Sequence, residues 1–297
     1  MSDTKKQHFV PQFYLCHFAG PGDVLHAYNR KADKFYDTNP GDACEKNYLY
    51  EVRKEISSAG SSDPFFLKND IEHQLSVVEG NLSELYKQLV RCCENGVYSG
   101  KEFLDGRLAA CFLAAHLLVR HPEYLSRERA RASEISSIFL STNQLTRFDH
   151  QILELIGLGD NIDPLSEMAI MKTHLFSDDP STPFNRLYNA FCDKRMTLFE
   201  APALMRFVTT SYPFEFTNPD PDNYDFEAAY MPLSSKYAAL FSVHTDTPQL
   251  RKLNEEGVKQ INRRILSHNW TWDVVLSGAQ YSLEAAVGKR KDGRPVA

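Results

Sequence analysis

The chain has 297 residues, 42% of them hydrophobic and 24% charged, with a formal net charge of −6 and a pI near 5.9. That is enough chain to bury one large core, and the balance is too acidic for a surface built to coat nucleic acid. Residues 1–7 are polar and charged with no apolar stretch after them, so no signal peptide is expected. The longest apolar run, 108–119, is too short to cross a bilayer and reads as a buried helix. The expectation is a cytoplasmic protein without a membrane partner.

Residues 1–18 read as an extended arm followed by a short helical turn after Pro11. The segment His8-Phe9-Val10-Pro11-Gln12-Phe13-Tyr14-Leu15, closed by Phe18, sets a histidine, an amide and a phenol among apolar residues. Chain termini usually fray, and one of this composition should dock onto the body. Residues 24–28 and 34–36 look like a hairpin, 48–52 a further extended piece, and 57–63 a flexible surface loop.

The middle should be helical. Asn69 with Glu72 gives a capping signature, Gly96 a stop, and Ile71, Leu75, Val78, Leu82, Leu85 and Leu89 one buried stripe. Ser99 with Glu102 repeats the signature for a second helix running to Arg120, just before His121-Pro122. Helices at 123–141, 145–156, 164–176 and 183–192 follow. The last third turns to short β-prone runs at 196–199, 206–210, 228–231 and 238–243. An acidic loop at 218–225 lies between them. Thr247-Pro248 then opens a helix of roughly 20 residues, with Pro at its first position. A final strand at 272–276 and a loose tail from 288 complete the chain.

The six cysteines, Cys16, Cys44, Cys92, Cys93, Cys111 and Cys192, show no metal spacing and read as reduced, mostly buried thiols. There is no phosphate-loop motif, no Gly-x-Gly-x-x-Gly and no Gly-x-Ser-x-Gly. The serines near 211 and 234 could bind phosphate or simply form turns. The arginines at 127–131 and 263–264 read as solvated helix faces.

Two sets of residues carry candidate chemistry. His8, with Gln12 and Tyr14 beside it, is either a general base or metal ligand, or a plug whose ring meets a backbone carbonyl. On the first long helix Glu72 and Glu79 share a side; on the second, His116 and Arg120 do. His116 interrupts an apolar run and should be buried, and a buried charge needs a partner. Antiparallel packing makes the glutamates plausible partners, giving a carboxylate–His–Arg site or a structural network. A catalytic set of His8, Gln12, Glu72, His116 and Arg120 follows. His8, Glu72 and Glu79 would be the ligands for one divalent ion, Mg or Mn. The opening also echoes the histidine strand of HNH-type nucleases. Gln7, however, stands where such sites need a ligand, and Asn29 or Asn47 would have to serve as the asparagine.

The string HFVPQFYL…F, the helix beginning Ile71-Glu72, the Arg120-x-Pro122 pair, Thr210-Ser211-x-Pro213 and Pro232-Leu233-Ser234 together resemble a bacterial and phage family, domain of unknown function 4238. The resemblance spans nearly the whole chain and implies an architecture more than an activity. A link to bacterial or phage conflict comes from that association alone. The family tends to carry an acid where this chain has Tyr212; were that acid catalytic, this member would be impaired.

The expected fold is α+β and predominantly α-helical. A central helical bundle (64–192) would be clasped by an N-terminal arm and hairpin (1–56) and by a small antiparallel sheet with a helix (193–281). The tail (282–297) follows, and the whole forms one domain. Two functions fit. One is a metal-assisted hydrolase or nuclease acting on nucleic acid or another phosphate-bearing substrate. The other is a non-catalytic interaction module with a protein partner, whose buried cluster is structural.

Overall fold

The computed structural model of the chain describes residues 5–54, 63–142, 144–158, 161–243, 250–267 and 272–296. The arm supplies β1 (Lys6–His8) and α1 (Gln12–Cys16), then the hairpin β2 (Leu25–Asn29) and β3 (Lys34–Thr38). Short strands β4 (Glu45–Asn47), β5 (Val52–Arg53) and β6 (Phe65–Phe66) lead to the helices. These are α2 (Asp70–Glu94), α3 (Lys101–Val119), α4 (Pro122–Thr142), α5 (Arg147–Leu155), α6 (Asp163–Phe176) and α7 (Pro183–Asp193). Strands β7 (Arg195–Glu200), β8 (Thr209–Thr210), β9 (Glu215–Asp220), β10 (Asp225–Pro232), β11 (Tyr237–Ser242) and β12 (Leu250–Lys252) follow. The chain finishes with α8 (Glu255–Ser267), β13 (Val274–Ser277) and α9 (Gln280–Val287).

The expected helical bundle with a small C-terminal sheet is corrected here. Helix makes up 47% and strand 21%, and the described strands form four sheets, so the protein is mixed α/β. The largest sheet has the order β12-β7-β11-β10-β9, antiparallel except for β12 on β7. A second, β3-β2-β13-β8, joins the N-terminal hairpin to the far end of the chain, with Ala27 opposite Leu276. No local signal announces that pairing, because each partner alone is only a short apolar run. The 218–225 stretch, expected as a loop, lies largely inside the β9–β10 hairpin. An Asp220 carboxylate accepting from the Asn223 backbone closes its turn.

The central helices lie within two residues of the expected ends. Ile71, Leu75, Leu82, Tyr86 and Leu89 of α2 are buried, while Leu85 stays partly exposed. Asn69 does not cap with its side chain; it takes a left-handed backbone (φ +60°), and its N–H turns to Glu51. Gly106 lets α3 press against α2, since a Cβ there would lie 2.7 Å from Leu89 Cβ. The late helix starts only at Glu255, after β12; Thr247-Pro248 and most of the 57–63 loop lie outside the described residues. The segment after α9 is tied down, with Lys289 on Asp33 and Lys291 on Asp37. No helix among the described residues is long and apolar enough to cross a membrane.

Candidate functional site

The arm is seated by its own alternation. In β1, Lys6 faces solvent and Gln7 is fully buried, while β4 pairs alongside, Lys6 opposite Asn47 and His8 opposite Glu45. The Gln7 amide does two jobs: its Nε2 donates to Glu51 Oε1 at 2.7 Å, and its oxygen accepts from the Tyr50 backbone N–H at 2.7 Å. Glu51 also takes the Asn69 backbone N–H at 3.0 Å, so one buried carboxylate joins the arm to the start of α2. Burial pushes the Glu51 carboxyl above its ordinary value.

Arg120, 2% exposed at the end of α3, receives the other side of the arm. Its Nη2 donates to the His8 carbonyl at 2.6 Å, its Nε to the Tyr50 hydroxyl at 3.0 Å, and its Nη1 to Glu79 Oε1 at 2.6 Å. The Tyr50 hydroxyl in turn donates to the same His8 carbonyl at 2.9 Å. Burial disfavours the guanidinium charge, but Tyr50 and Glu79 more than offset it and hold Arg120 protonated. Burial pushes the Tyr50 phenol up to about 12.

Glu72, Glu79 and His116 surround this charge unequally. Glu79 pairs with Arg120 directly. Glu72 does not: its Oε2 is buried without a hydrogen-bond partner, and burial pushes its carboxyl up to about 7 despite Arg120. Buried His116 lies between the rings of Phe112 and Phe184, centroids 4.8 and 4.6 Å away, and neither ring nitrogen has a hydrogen-bond partner. Burial, with Arg120 adding to it, lowers its imidazole to about 3, so the ring is neutral.

The His8 imidazole takes a different direction from its carbonyl. Its Nε2 lies 3.0 Å from the Gly41 carbonyl, and the exposed Gln12 amide sits 3.4 Å from the ring. The structure therefore brings Glu79, Arg120 and the His8 main chain together, with the Glu72 and His116 side chains near the charge. The His8 ring instead bonds the 39–42 turn. Among the described residues no three His, Cys, Asp or Glu side chains form a group that could hold a metal ion. The donor set of His8, Glu72 and Glu79 does not fit one: Glu79 is bonded to a guanidinium and the His8 Nε2 to a carbonyl.

Other polar candidates serve the fold. The Ser211 hydroxyl accepts from the Asp273 N–H and the Ser234 hydroxyl from the Tyr237 N–H, both as turn and strand-end contacts. Arg129 turns inward to Glu167 and the Leu49 carbonyl, and Arg264 pairs with Glu215. Sequence reasoning missed Gln7, Tyr50 and Glu51, which carry most of the network. The only available signal was that alternation in β1 buries the residue before His8.

The short motifs singled out along the chain converge on this arm. The Tyr14 hydroxyl donates to the Pro232 carbonyl at 2.8 Å and lies 3.0 Å from Thr209 Oγ1, and the Tyr86 hydroxyl donates to the Leu233 carbonyl at 2.7 Å. A family model described as "Protein of unknown function (DUF4238)" matches residues 6–271. The chain belongs to the DUF4238 family. A search of curated proteins and a search of solved structures each found no match. At the position where DUF4238 members were expected to carry an acid, Tyr212 packs edge-on against His121 at 5.3 Å, and His121 meets Phe9 at 6.0 Å. Position 212 thus adjoins the residue after Arg120, and here it supplies a ring rather than a charge.

Proposed function

We propose that this DUF4238 member is a non-catalytic interaction module that pairs with a second copy of itself through α4 and α5, its buried polar network fastening the fold. The observation that carries this reading is an apolar stripe left in solvent. Phe148 is 67% and Leu155 86% exposed, and Ile152 and Ile156 complete the same face at helical spacing. On the second half of α4, Ile135, Ile138 and Phe139 are likewise exposed. Stripes of this kind mark contact surfaces. The stretch 132–142 carries one charged residue, Glu134. Two copies of an acidic chain can therefore meet there with a single carboxylate on each side. The Arg120 network offers little to a substrate, since its guanidinium is buried and bonded on three nitrogens.

Light scattering on the eluting protein tests the reading. A dimer is expected, and Phe148→Asp with Leu155→Asp should yield a monomer with unchanged circular dichroism. A wild-type monomer at every concentration overturns the self-pairing.

A second reading, the hydrolase, is favoured by one observation: the unpartnered Glu72 carboxyl, held near neutrality, is a suitable proton donor and acceptor. A phosphodiester substrate should be cleaved by the wild type and not by Glu72→Gln. Equal rates in both, or none in either, remove it.

A further inference from the structure

We infer that Cys192 is a peroxide-reactive thiol and Cys111 its resolving partner, the two closing to a disulfide between α7 and α3. Four residues separate Arg107 from Cys111 on α3, and four separate Tyr188 from Cys192 on α7. Each pair therefore shares a helix face. The two faces meet. Phe112, next to Cys111, packs its ring against Tyr188 at 5.9 Å, and Arg107 reaches the Cys192 carbonyl, so the Cys111 turn of α3 lies against the Cys192 turn of α7. Arg107 spans the junction, its Nη2 donating to the Cys192 carbonyl at 2.8 Å and the Lys194 carbonyl at 2.6 Å.

The C-terminal end of a helix is a poor place for a thiolate, because its free carbonyls carry negative potential. Here the Arg107 guanidinium covers one of those carbonyls, that of Cys192, together with the Lys194 carbonyl just past the helix, and lends its charge to the sulfur. The neighbouring Cys111 thiol leads, with the Tyr188 hydroxyl and Arg107 assisting, in lowering the Cys192 thiol to about 7 against the cost of burial. Burial instead pushes Cys44 and Cys93 up to about 12. Access separates the two roles. Cys192 is half-buried, so a small oxidant can reach it, while Cys111 is fully buried.

The chemistry balances with hydrogen peroxide as the oxidant. The Cys192 thiolate attacks one peroxide oxygen, the O–O bond breaks, and the departing hydroxide takes a proton from solvent to leave as water. Cys192 is then a sulfenic acid. The Cys111 sulfur attacks the Cys192 sulfur, the S–O bond breaks, and the Cys111 proton leaves with the hydroxyl as a second water. Two thiols have given two electrons to one peroxide.

The test uses the full chain with Cys16→Ser, which removes the exposed thiol. One equivalent of peroxide should remove two hydrogens by intact mass, and peptide mapping should join the 111 and 192 segments. Cys111→Ala should stop at a sulfenic acid on Cys192, captured by dimedone. At pH 7 Cys192 should alkylate at least about tenfold faster than any other thiol. The inference is overturned if Cys192 survives peroxide unchanged, if it oxidises without joining Cys111, or if Cys192→Ser still loses two hydrogens. The mapping on the Cys16→Ser chain decides the matter even if the Cys111 variant fails to fold.

Discussion

Arg120 grips His8 by its main-chain oxygen, at 2.6 Å, and not by its imidazole. The arm is thus held by an atom that every residue possesses, and its side chain is left for the 39–42 turn. His8→Ala should therefore cost at most about 1 kcal/mol, the loss of one half-buried hydrogen bond. Arg120→Met should cost about 3–5 kcal/mol, because it leaves Glu79 without its charge partner and removes a donor from both the Tyr50 hydroxyl and the His8 carbonyl, which keep only each other. Urea midpoints of the two variants measure the contrast, and equal losses would contradict the geometry.

The neutral His116 ring sets an acid limit on stability. Its folded-state value of about 3 lies below the ordinary 6.5, so the unfolded chain takes the proton first as pH falls. Its contribution is complete above about pH 6.5 and is lost progressively toward pH 3. Relative to His116→Phe, which keeps a flat ring in place, the wild type should lose about 3 kcal/mol more between pH 6.5 and pH 4. Chemical denaturation of both proteins at the two pH values gives the number.

Glu72 acts with the opposite sign. Its folded-state carboxyl titrates at about 7, above an unfolded value near 4.5, so the folded chain holds the proton more tightly. The favourable contribution is complete below pH 4.5 and disappears as pH rises through 7. Glu72→Gln, which stays neutral, should therefore melt higher than the wild type at pH 8 and close to it at pH 5. A thermal melt at each pH, with the same gap at both, would show that the carboxyl does not titrate in this range.

The Tyr14 hydroxyl is the point where the arm meets the C-terminal third. Tyr14→Phe keeps the ring packing against Phe18 and Tyr86 but leaves the Pro232 carbonyl without that donor. The expected cost is about 1–3 kcal/mol, read from a denaturant midpoint shifted at unchanged slope.

Much of the helical architecture was legible in advance, and the reason shows in α2. Its apolar positions recur within one segment, so the buried face can be read without knowing what covers it. The site was legible only in part. The apolar run around His116 announced a buried ring, and the i, i+4 spacing put Arg120 on the same helix with glutamates on the neighbour. Nothing in the chain order indicated that Tyr50 and the His8 carbonyl would complete the guanidinium's partners, nor that Gln7 rather than His8 would carry the arm's buried side-chain bonds.

Helical periods, the buried imidazole and the docked arm are properties of contiguous residues, because hydrophobic spacing and proline geometry act over a few positions. The four-stranded sheet, the saturation of Arg120, the orphaned Glu72 oxygen and the facing of Cys111 on Cys192 belong to the folded chain alone. Each joins positions tens to hundreds of residues apart, where the outcome turns on which surfaces exclude water together rather than on any neighbour in sequence.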